Sequence, residues 1–206
     1  MFLWDYSLVN STWCSDIENI LDDACCIDLY DEMHVCDIQE IEKELQKNLE
    51  ISWLNDCNNK PKLRTYILFK EIYKAETYTK LFLSRRQRSL IAKLRAGILP
   101  LRIETGRYQN IKDTETGRFR KLHIEERLCQ ICNNDVVEDE IHFICNCPSY
   151  TDQRERLYRE VTSKNELFNL MSDQEKFVYI MKNEVKVLSN YMCESWDIRN
   201  SKLYIG

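Results

Sequence analysis

Residues 128 to 148, LCQICNNDVVEDEIHFICNCP, hold the densest group of potential metal ligands in the chain. Cys129, Cys132, His142 and Cys147 follow the spacing C-x2-C-x9-H-x4-C. A C-x2-C turn presents two thiolates from one tight loop, and zinc binds four such soft or borderline ligands tetrahedrally. Three cysteines and one histidine fill that sphere and leave no position for a reactive water. The stretch therefore predicts a structural zinc site.

The fourth ligand has two candidates. Asp139 and Glu140 are expected to start a short helix that carries His142, and Pro148 disfavours helical backbone at the residue before it. The helix is then expected to end at Cys147, which favours this residue as the ligand. Cys145 is the alternative, because residues three apart share a helix face.

The scarcity of chain-breaking residues predicts a mainly α fold, a helical bundle with a small embedded zinc knuckle. The 206 residues include only four glycines and three prolines, which favours long helices joined by short connections. Composition and motifs suggest four segments within one compact unit. These are an acidic helical segment 1–59, a basic helical and loop segment 60–127, the zinc knuckle 128–150 and C-terminal helices 151–206.

Charge is distributed unevenly along the chain. Residues 1–59 hold 14 acidic and 2 basic residues, residues 60–128 hold 7 and 18, and residues 129–206 hold 13 and 9. The basic centre keeps RNA or DNA open as a partner although the net charge is −5, because affinity follows local charge. The alternative is internal neutralisation, with the acidic N-terminal helices folded onto the basic centre.

The segment SRRQRSLIAKLRAG is the clearest helix. Ser84 suits the N-cap and Gly97 the C-terminal cap. One face collects the apolar residues Leu83, Leu90, Ile91, Leu94 and Ile98, while basic residues cover the others. The following segment, expected to be a loop, contains ETGRY at 104–108 and ETGRF at 115–119, each offering an arginine and an aromatic ring that could hold a phosphate and stack a base. Arg107 and Arg118 could equally pair with the acidic N-terminal helices. The candidate nucleic-acid-binding residues are Arg85, Arg86, Arg88, Lys93, Arg95, Arg102, Arg107, Arg118, Arg120 and Lys121.

Other stretches have helical spacing of apolar residues. They are residues 15–26 with Ser15 as N-cap, a run opened by Asp37 and Glu40 as a capping box, residues 63–76 after a turn-rich linker 55–62, residues 150–162 capped by Ser149 or Thr151, and a helix opened by a second capping box of Ser172 and Glu175. Tyr66, Phe69 and Tyr73 are expected to form a core face of the 63–76 helix.

The N-terminal residues lack a basic leader, and no apolar run approaches the roughly 18 residues of a membrane span. We expect an intracellular protein, nuclear or cytoplasmic, that does not enter a membrane. In that setting the remaining cysteines are expected to be unpaired, small buried residues. They are Cys14, Cys25, Cys26, Cys36, Cys57 and Cys193.

Three stretches, KLRTYILFK at 62–70, RSLIAKLRAGILPLRIETGRY at 88–108 and ERLCQICNNDVVEDEIHFICNCPSY at 126–150, resemble a known family. The family is the region downstream of the polymerase in non-LTR, LINE-like retrotransposon polyproteins. The resemblance implies a C-terminal reverse-transcriptase module in which a Cys-Cys-His-Cys knuckle and a basic helical region help to bind element RNA or target DNA. It places the ligands on Cys129, Cys132, His142 and Cys147, and its His-x4-Cys-Pro register supports Cys147 over Cys145.

The chain departs from a complete reverse transcriptase. Polymerisation needs paired aspartates at a strand turn to hold two metal ions. Asp22 and Asp23 imitate that pair, but they lie in a helical pattern and lack the preceding aromatic residue. We therefore predict a module that is not an enzyme by itself and that binds zinc and nucleic acid. The alternative is a protein-interaction domain with a purely structural zinc site.

Overall fold

The computed structural model describes residues 12–23 and 38–204, which fall into two compact units divided between Asn59 and Lys60. These residues are mainly helical, as predicted. The predicted segments 60–127 and 128–150 and the C-terminal helices all belong to the second unit. No helix in these two ranges is both long and apolar enough to cross a membrane.

The first unit contains two helices that contact each other, α1 (Thr12–Asp23) and α2 (Ile38–Asn59). Ser15 lies inside α1, so its predicted N-cap role is wrong, and Asp37 lies outside the described residues. Helix α2 continues through residues 55–59, which the sequence predicted as a linker. No glycine or proline interrupts the chain there before Pro61, so the helix has no obligatory stop.

The second unit is built from short helices, one hairpin and three C-terminal helices. Its regular elements are α3 (Tyr66–Phe69), α4 (Arg85–Arg95), α5 (Arg102–Thr105), β1 (Asn110–Lys112), β2 (Phe119–Lys121), α6 (Thr151–Thr162), α7 (Asp173–Asn183) and α8 (Val185–Tyr204). Single 3-10 turns cover Pro61–Leu63, Thr77–Lys80, Gly106–Tyr108, Ile124–Glu126, Pro148–Tyr150 and Glu166–Leu170, and a π-helical turn covers His142–Asn146.

Helix α8 forms the centre of this unit. Helices α4, α6 and α7 all pack against it, and α7 also contacts α3 and the π-helical turn. The fully buried side chains between these elements include Leu94, Phe143, Phe177 and Leu188. The core therefore joins the predicted basic segment, the Cys/His segment and the C-terminal helices into one body.

Helix α4 begins and ends as predicted. The Ser84 side chain accepts a hydrogen bond from the backbone N–H of Gln87, whose own side chain completes a capping box. Gly97 follows the helix with φ +63°, the left-handed conformation that glycine adopts without penalty. Leu90, Ile91 and Leu94 are buried, but Ile98 is 46% exposed because the chain has already left the helix.

The predicted helix over 63–76 is wrong for most of its length. Only Tyr66–Phe69 is α-helical, and the chain is extended at Lys70. The Glu76 carboxylate contacts Arg95 at 2.6 Å and Lys70 at 3.4 Å. A helix that continued through Glu76 would prevent these contacts. Phe69 is buried and Tyr66 is partly buried against it, whereas Tyr73 is 42% exposed.

Residues 110–121, predicted as part of a loop, form the β1–β2 hairpin. The strands are antiparallel and pair Asn110 with Lys121, Ile111 with Arg120 and Lys112 with Phe119. At the tip, one oxygen of Asp113 accepts hydrogen bonds from the backbone N–H groups of Glu115 and Thr116. Gly117 follows with φ +69°. This local turn chemistry closes the hairpin.

The helices expected at 150–162 and after Ser172 are both present in the C-terminal segment. The capping box of Ser172 and Glu175 opens α7 as expected. Helix α6 begins at Thr151 without a side-chain cap, because the Thr151 hydroxyl donates backwards to the Pro148 carbonyl and Ser149 donates to the Ile131 carbonyl. Both predicted caps are therefore wrong. The chain then breaks once more at Glu184, between α7 and α8.

Candidate metal centre

The first two candidate ligands lie on a tight turn held by a short ladder. The Cys129 backbone N–H donates to the Val136 carbonyl at 2.8 Å, and Leu128 pairs with Val137 as an isolated bridge. Between them, Asn133 and Asp135 adopt φ values of +56° and +50°. Asparagine and aspartate tolerate this left-handed region better than other residues with a side chain. The local sequence NND thus suits the turn that holds Cys129 beside Cys132.

The second pair of candidate ligands comes from the π-helical turn. Asp139 starts it, since its Oδ1 accepts a hydrogen bond from the His142 backbone N–H at 2.7 Å. The turn closes with the Cys147 N–H donating to the His142 carbonyl at 2.7 Å. This five-residue closure brings residues 142 and 147 together. Cys147 is extended, at φ −61° and ψ 119°, as expected for a residue before proline.

The four side chains converge on one point. The ligand atoms of Cys129, Cys132, His142 and Cys147 all lie within 4.8 Å of one another. The Cys132 Sγ is 3.5 Å from the His142 Nε2. Bonds of about 2.3 Å to sulfur and 2.0 Å to nitrogen at a tetrahedral angle place the sulfur and nitrogen atoms about 3.5 Å apart. The Cys132–His142 distance matches that separation, and the four residues, the Cys/His cluster, lie close enough to hold one metal ion.

Burial and hydrogen bonding determine the protonation state of the three cluster thiols. The hydrogen bond between Cys129 and Cys147, reinforced by burial, raises the pKa of Cys129 to about 12, and the same bond lowers the pKa of Cys147. Burial also raises the pKa of Cys132. Without a cation, at least two of the three thiols keep their protons at neutral pH. A metal ion would have to displace those protons on binding.

Cys145 faces a different part of the core. Its thiol donates to the Asp173 carbonyl of α7 at 3.5 Å, and it is not one of the residues that converge at the Cys/His cluster. Burial raises its pKa to about 11. Of the two alternatives for the fourth ligand, the geometry brings only Cys147 to the other three. The described cysteines form no disulfide, and Cys57 is buried while Cys193 is partly exposed.

An aromatic contact attaches the π-helical turn to α8. Phe143, which is fully buried, makes edge-to-face contacts with Tyr150, Tyr191 and Trp196 at centroid distances of 4.9, 6.1 and 6.0 Å. The Tyr191 hydroxyl also donates to the Phe143 carbonyl at 2.6 Å. The residue next to His142 is thus packed into the centre of the fold, which anchors the backbone that carries His142.

Two buried glutamates beside the Cys/His cluster were not recognised as site residues in the sequence. Glu138 accepts from the Arg199 guanidinium at 3.0 Å and from the Arg102 backbone N–H at 2.8 Å. Glu140 accepts two hydrogen bonds from Arg64, at 2.7 and 2.8 Å. Burial raises the pKa of both carboxyls, and the arginines oppose that effect. The sequence signal for these two carboxylates is their spacing of two residues, and that spacing does not identify the arginine that pairs with either of them.

The candidate nucleic-acid-binding residues divide into buried, paired and exposed groups. Arg95 is 6% exposed and bonds Glu76 and the Met181 carbonyl, and Arg102 is 9% exposed. Their predicted surface positions are therefore wrong, because helix geometry places Arg95 next to the buried face. The paired group consists of Arg86 with Asp197, Arg107 with Glu104, and Arg120 with Glu126 and Asp113.

The exposed group is Arg85, Arg88, Lys93, Arg118 and Lys121. None of these five forms an ion pair with any residue in the described ranges. Arg85, Arg88 and Lys93 are exposed on α4, whereas Leu90 and Leu94 of the same helix are buried. The exposed cations are thus fewer than the sequence suggested, and the three on α4 are called the α4 basic face.

The two copies of the ETGR-aromatic pentapeptide have different structures. In the first, Glu104 and Gly106 are buried and Arg107 is tied to Glu104 at 3.0 Å. In the second, Arg118 and Phe119 are exposed at the hairpin. The shared ETGR sequence therefore lies in a packed turn in one place and in a solvent-facing hairpin in the other, while the aromatic residue, Tyr108 or Phe119, is exposed in both.

Comparison with family models, curated proteins and solved structures finds no match to this chain. The geometry of the Cys/His cluster and the distribution of exposed charge are therefore the grounds on which a function can be proposed.

Proposed function

We propose that the second unit is a zinc-stabilised, non-catalytic nucleic-acid-binding module related to the post-polymerase region of LINE-like retrotransposons. The observation that carries the proposal is the convergence of three thiols and one imidazole within 4.8 Å. Thiolate and imidazole ligands select zinc over magnesium or calcium, and four protein ligands leave no open position for catalysis. The zinc knuckle would thus stabilise the fold.

Metal content tests the first part of this proposal. Protein purified from zinc-containing medium should hold about one zinc per chain, measured by mass spectrometry of the native protein and by elemental analysis. Cys129→Ser and Cys147→Ser should each abolish binding. Cys145→Ser is the matched control, because it removes a buried thiol two residues from Cys147 that donates to Asp173 instead. Zinc loss in the Cys145 variant with retention in the Cys147 variant would overturn the ligand assignment.

The nucleic-acid part of the proposal is supported by the α4 basic face. Arg85, Arg88 and Lys93 are exposed on a helix whose other side is fixed in the core, and no described acidic residue neutralises them. For single strands, the logarithm of the binding constant should fall with the logarithm of salt concentration by about 0.7 per phosphate contacted. A salt titration of oligonucleotide binding measures this slope. No binding near physiological salt would reject this function.

A protein-interaction domain with a purely structural zinc site is the second candidate. It is favoured by the internal pairing of Arg86, Arg107 and Arg120 and by the burial of Arg95, which remove cations from the surface. Under this alternative, zinc binding persists while oligonucleotides bind weakly and with a shallow salt slope.

The retrotransposon origin rests on the three resembling stretches and stays a prediction, as does an intracellular location. Genomic context tests the origin: an in-frame polymerase upstream would make this chain part of a polyprotein. The absence of catalytic activity is likewise a proposal, tested by assaying the purified chain for polymerase and nuclease activity.

A further inference from the structure

We infer that the outer face of the β1–β2 hairpin is a stacking site for a base of single-stranded nucleic acid, with Phe119 as the platform and Lys112 and Lys121 as phosphate contacts. This inference rests on the proposed nucleic-acid function and specifies a site and a strand type for it. Lys112 is not among the candidate binding residues, and Phe119 is the aromatic ring of the second ETGR-aromatic copy.

The register of the hairpin places these side chains together. Lys112 is directly opposite Phe119, and Asn110 is opposite Lys121. Directly opposed residues in an antiparallel pair point to the same face, and residues two apart along one strand do so as well. All four residues are exposed, whereas Ile111 and Arg120 on the other face are partly buried. The phenyl ring is therefore flanked by two ammonium groups on one solvent-facing surface.

Phe119 is 75% exposed, and it is not part of the hydrophobic core. The strand that presents it is firmly held. Arg120, the next residue, bonds both carboxylate oxygens of Glu126 at 2.6 Å and reaches Asp113 at 3.3 Å. A paired strand that already presents an aromatic ring to solvent needs little rearrangement to stack a base, which keeps the ordering cost of binding low.

Charge favours a polyanion as the occupant. Between residues 109 and 123 the chain has four basic and two acidic residues. One of the acids, Asp113, already accepts hydrogen bonds from the tip and from Arg120. Arg118 adds an exposed cation at the tip. Phosphates can contact the lysines while a base covers the ring.

A single strand fits this surface better than a duplex. An aromatic ring flanked by cations recognises the flat face of a base, and any base offers such a face. In a duplex those faces are covered by neighbouring base pairs. The site therefore selects strands with unstacked bases and tolerates different sequences. Both RNA and DNA have the required chemistry. Comparing an RNA oligonucleotide with a DNA oligonucleotide distinguishes the two partners.

The test compares full-length protein variants by fluorescence anisotropy with labelled oligo(U), oligo(dT) and a matched duplex. Phe119→Ala should weaken single-strand binding about tenfold, and Phe119→Trp should restore it. Phe82→Ala is the matched control, since Phe82 is 96% exposed but lies outside the hairpin, and it should bind as the wild type. Tighter binding of both oligo(U) and oligo(dT) than of the duplex would support the inference. The ratio of the two single-strand dissociation constants identifies the preferred strand.

A second measurement does not depend on the folding of a variant. Photo-crosslinking of wild-type protein to a 5-iodouracil oligonucleotide, followed by peptide mapping, should place the crosslink at Phe119. Unchanged binding by Phe119→Ala, together with a crosslink elsewhere, would overturn the hairpin site. If Arg85→Ala with Arg88→Ala still weakened binding, the proposed function would remain. No binding of any oligonucleotide by the wild type would overturn both.

Discussion

The carboxylate of Glu138 and the guanidinium of Arg199 lie 3.0 Å apart in the interior of the second unit, 61 residues apart in sequence. Their side chains are 1% and 3% exposed. Glu138 is four residues before His142, and Arg199 is near the end of α8. Arg199 also donates to the Pro100 carbonyl at 3.0 Å. This ion pair therefore connects the C-terminal helix to the segment that holds the Cys/His cluster.

Arg199→Met should destabilise the protein by about 3 to 5 kcal/mol, because it leaves the Glu138 charge buried without its partner. Urea unfolding of the zinc-loaded protein, followed by circular dichroism, measures the loss. The double variant Glu138→Gln with Arg199→Met should recover part of it, since the uncompensated charge is gone.

Arg156→Met is the control for this pair. Arg156 pairs with Glu194, but the two side chains are 56% and 48% exposed, so the loss should stay below about 1 kcal/mol. Equal effects of the two methionine substitutions would show that the Glu138–Arg199 pair has no special role in stability.

Gly97→Ala should destabilise the fold far more than Gly117→Ala. Both glycines have left-handed φ values, +63° and +69°, so the conformational penalty of about 1 to 2 kcal/mol is shared. A Cβ at Gly97 would lie 2.1 Å from the Lys62 carbonyl oxygen, whereas a Cβ at Gly117 would meet no atom within 4 Å. Thermal unfolding of the two variants isolates the steric difference, and similar melting temperatures would contradict this close approach.

Zinc affinity should fall steeply as pH decreases. Cysteine thiols and the imidazole must be deprotonated to bind, so each proton released contributes about tenfold per pH unit below its pKa. Titration with Co²⁺, followed by its thiolate charge-transfer absorption, measures the slope. Cys145→Ser should show the same slope as the wild type. A pH-independent affinity would argue against thiolate ligands.

Glu126 should titrate far below an ordinary carboxyl. The Arg120 hydrogen bonds, and then the His123 backbone N–H, lower the pKa of Glu126 to about 2. Because the folded pKa is depressed, the contribution of this pair to stability is present above the ordinary value of about 4.3 and is lost as pH falls through about 2. Carboxyl carbon NMR measures the titration.

Arg120→Gln should move the Glu126 pKa towards its ordinary value. Arg118→Gln should leave that pKa unchanged, since Arg118 is exposed at the tip and forms no ion pair in the described ranges. If the pKa of Glu126 in the Arg120 variant equalled its wild-type value, the hairpin would not be held as described.

Arg85→Ala with Arg88→Ala should weaken oligonucleotide binding and reduce the salt slope by about 0.7 for each phosphate that the variant no longer neutralises. Arg86→Ala is the control on the same helix, because its guanidinium is paired with Asp197. Both variants should unfold at the wild-type temperature. Arg95 is unsuitable for this test, since its burial against Phe69 and Glu76 makes its replacement a folding defect. A larger loss of binding in the Arg86 variant would indicate that the nucleic-acid interface is on the side of the helix that carries Arg86.

The sequence by itself determined the features that depend on neighbouring residues. The caps of α4, the capping box of α7 and the end of the π-helical turn before Pro148 each involve groups within a few residues of one another, so their chemistry is readable in the chain. The helical class of the fold and the ligand spacing of Cys129, Cys132, His142 and Cys147 are equally local.

Only the tertiary structure decided which charges are buried and which partners they have. Arg95 lies on the same helix as exposed Arg88 and Lys93, yet Glu76 and the Met181 carbonyl bind it in the core. Glu138 depends on an arginine 61 residues away. One ETGR-aromatic copy packs and the other faces solvent. Burial of a charge is favourable only when a distant partner compensates its desolvation, and a linear sequence does not specify which partner folding will bring there.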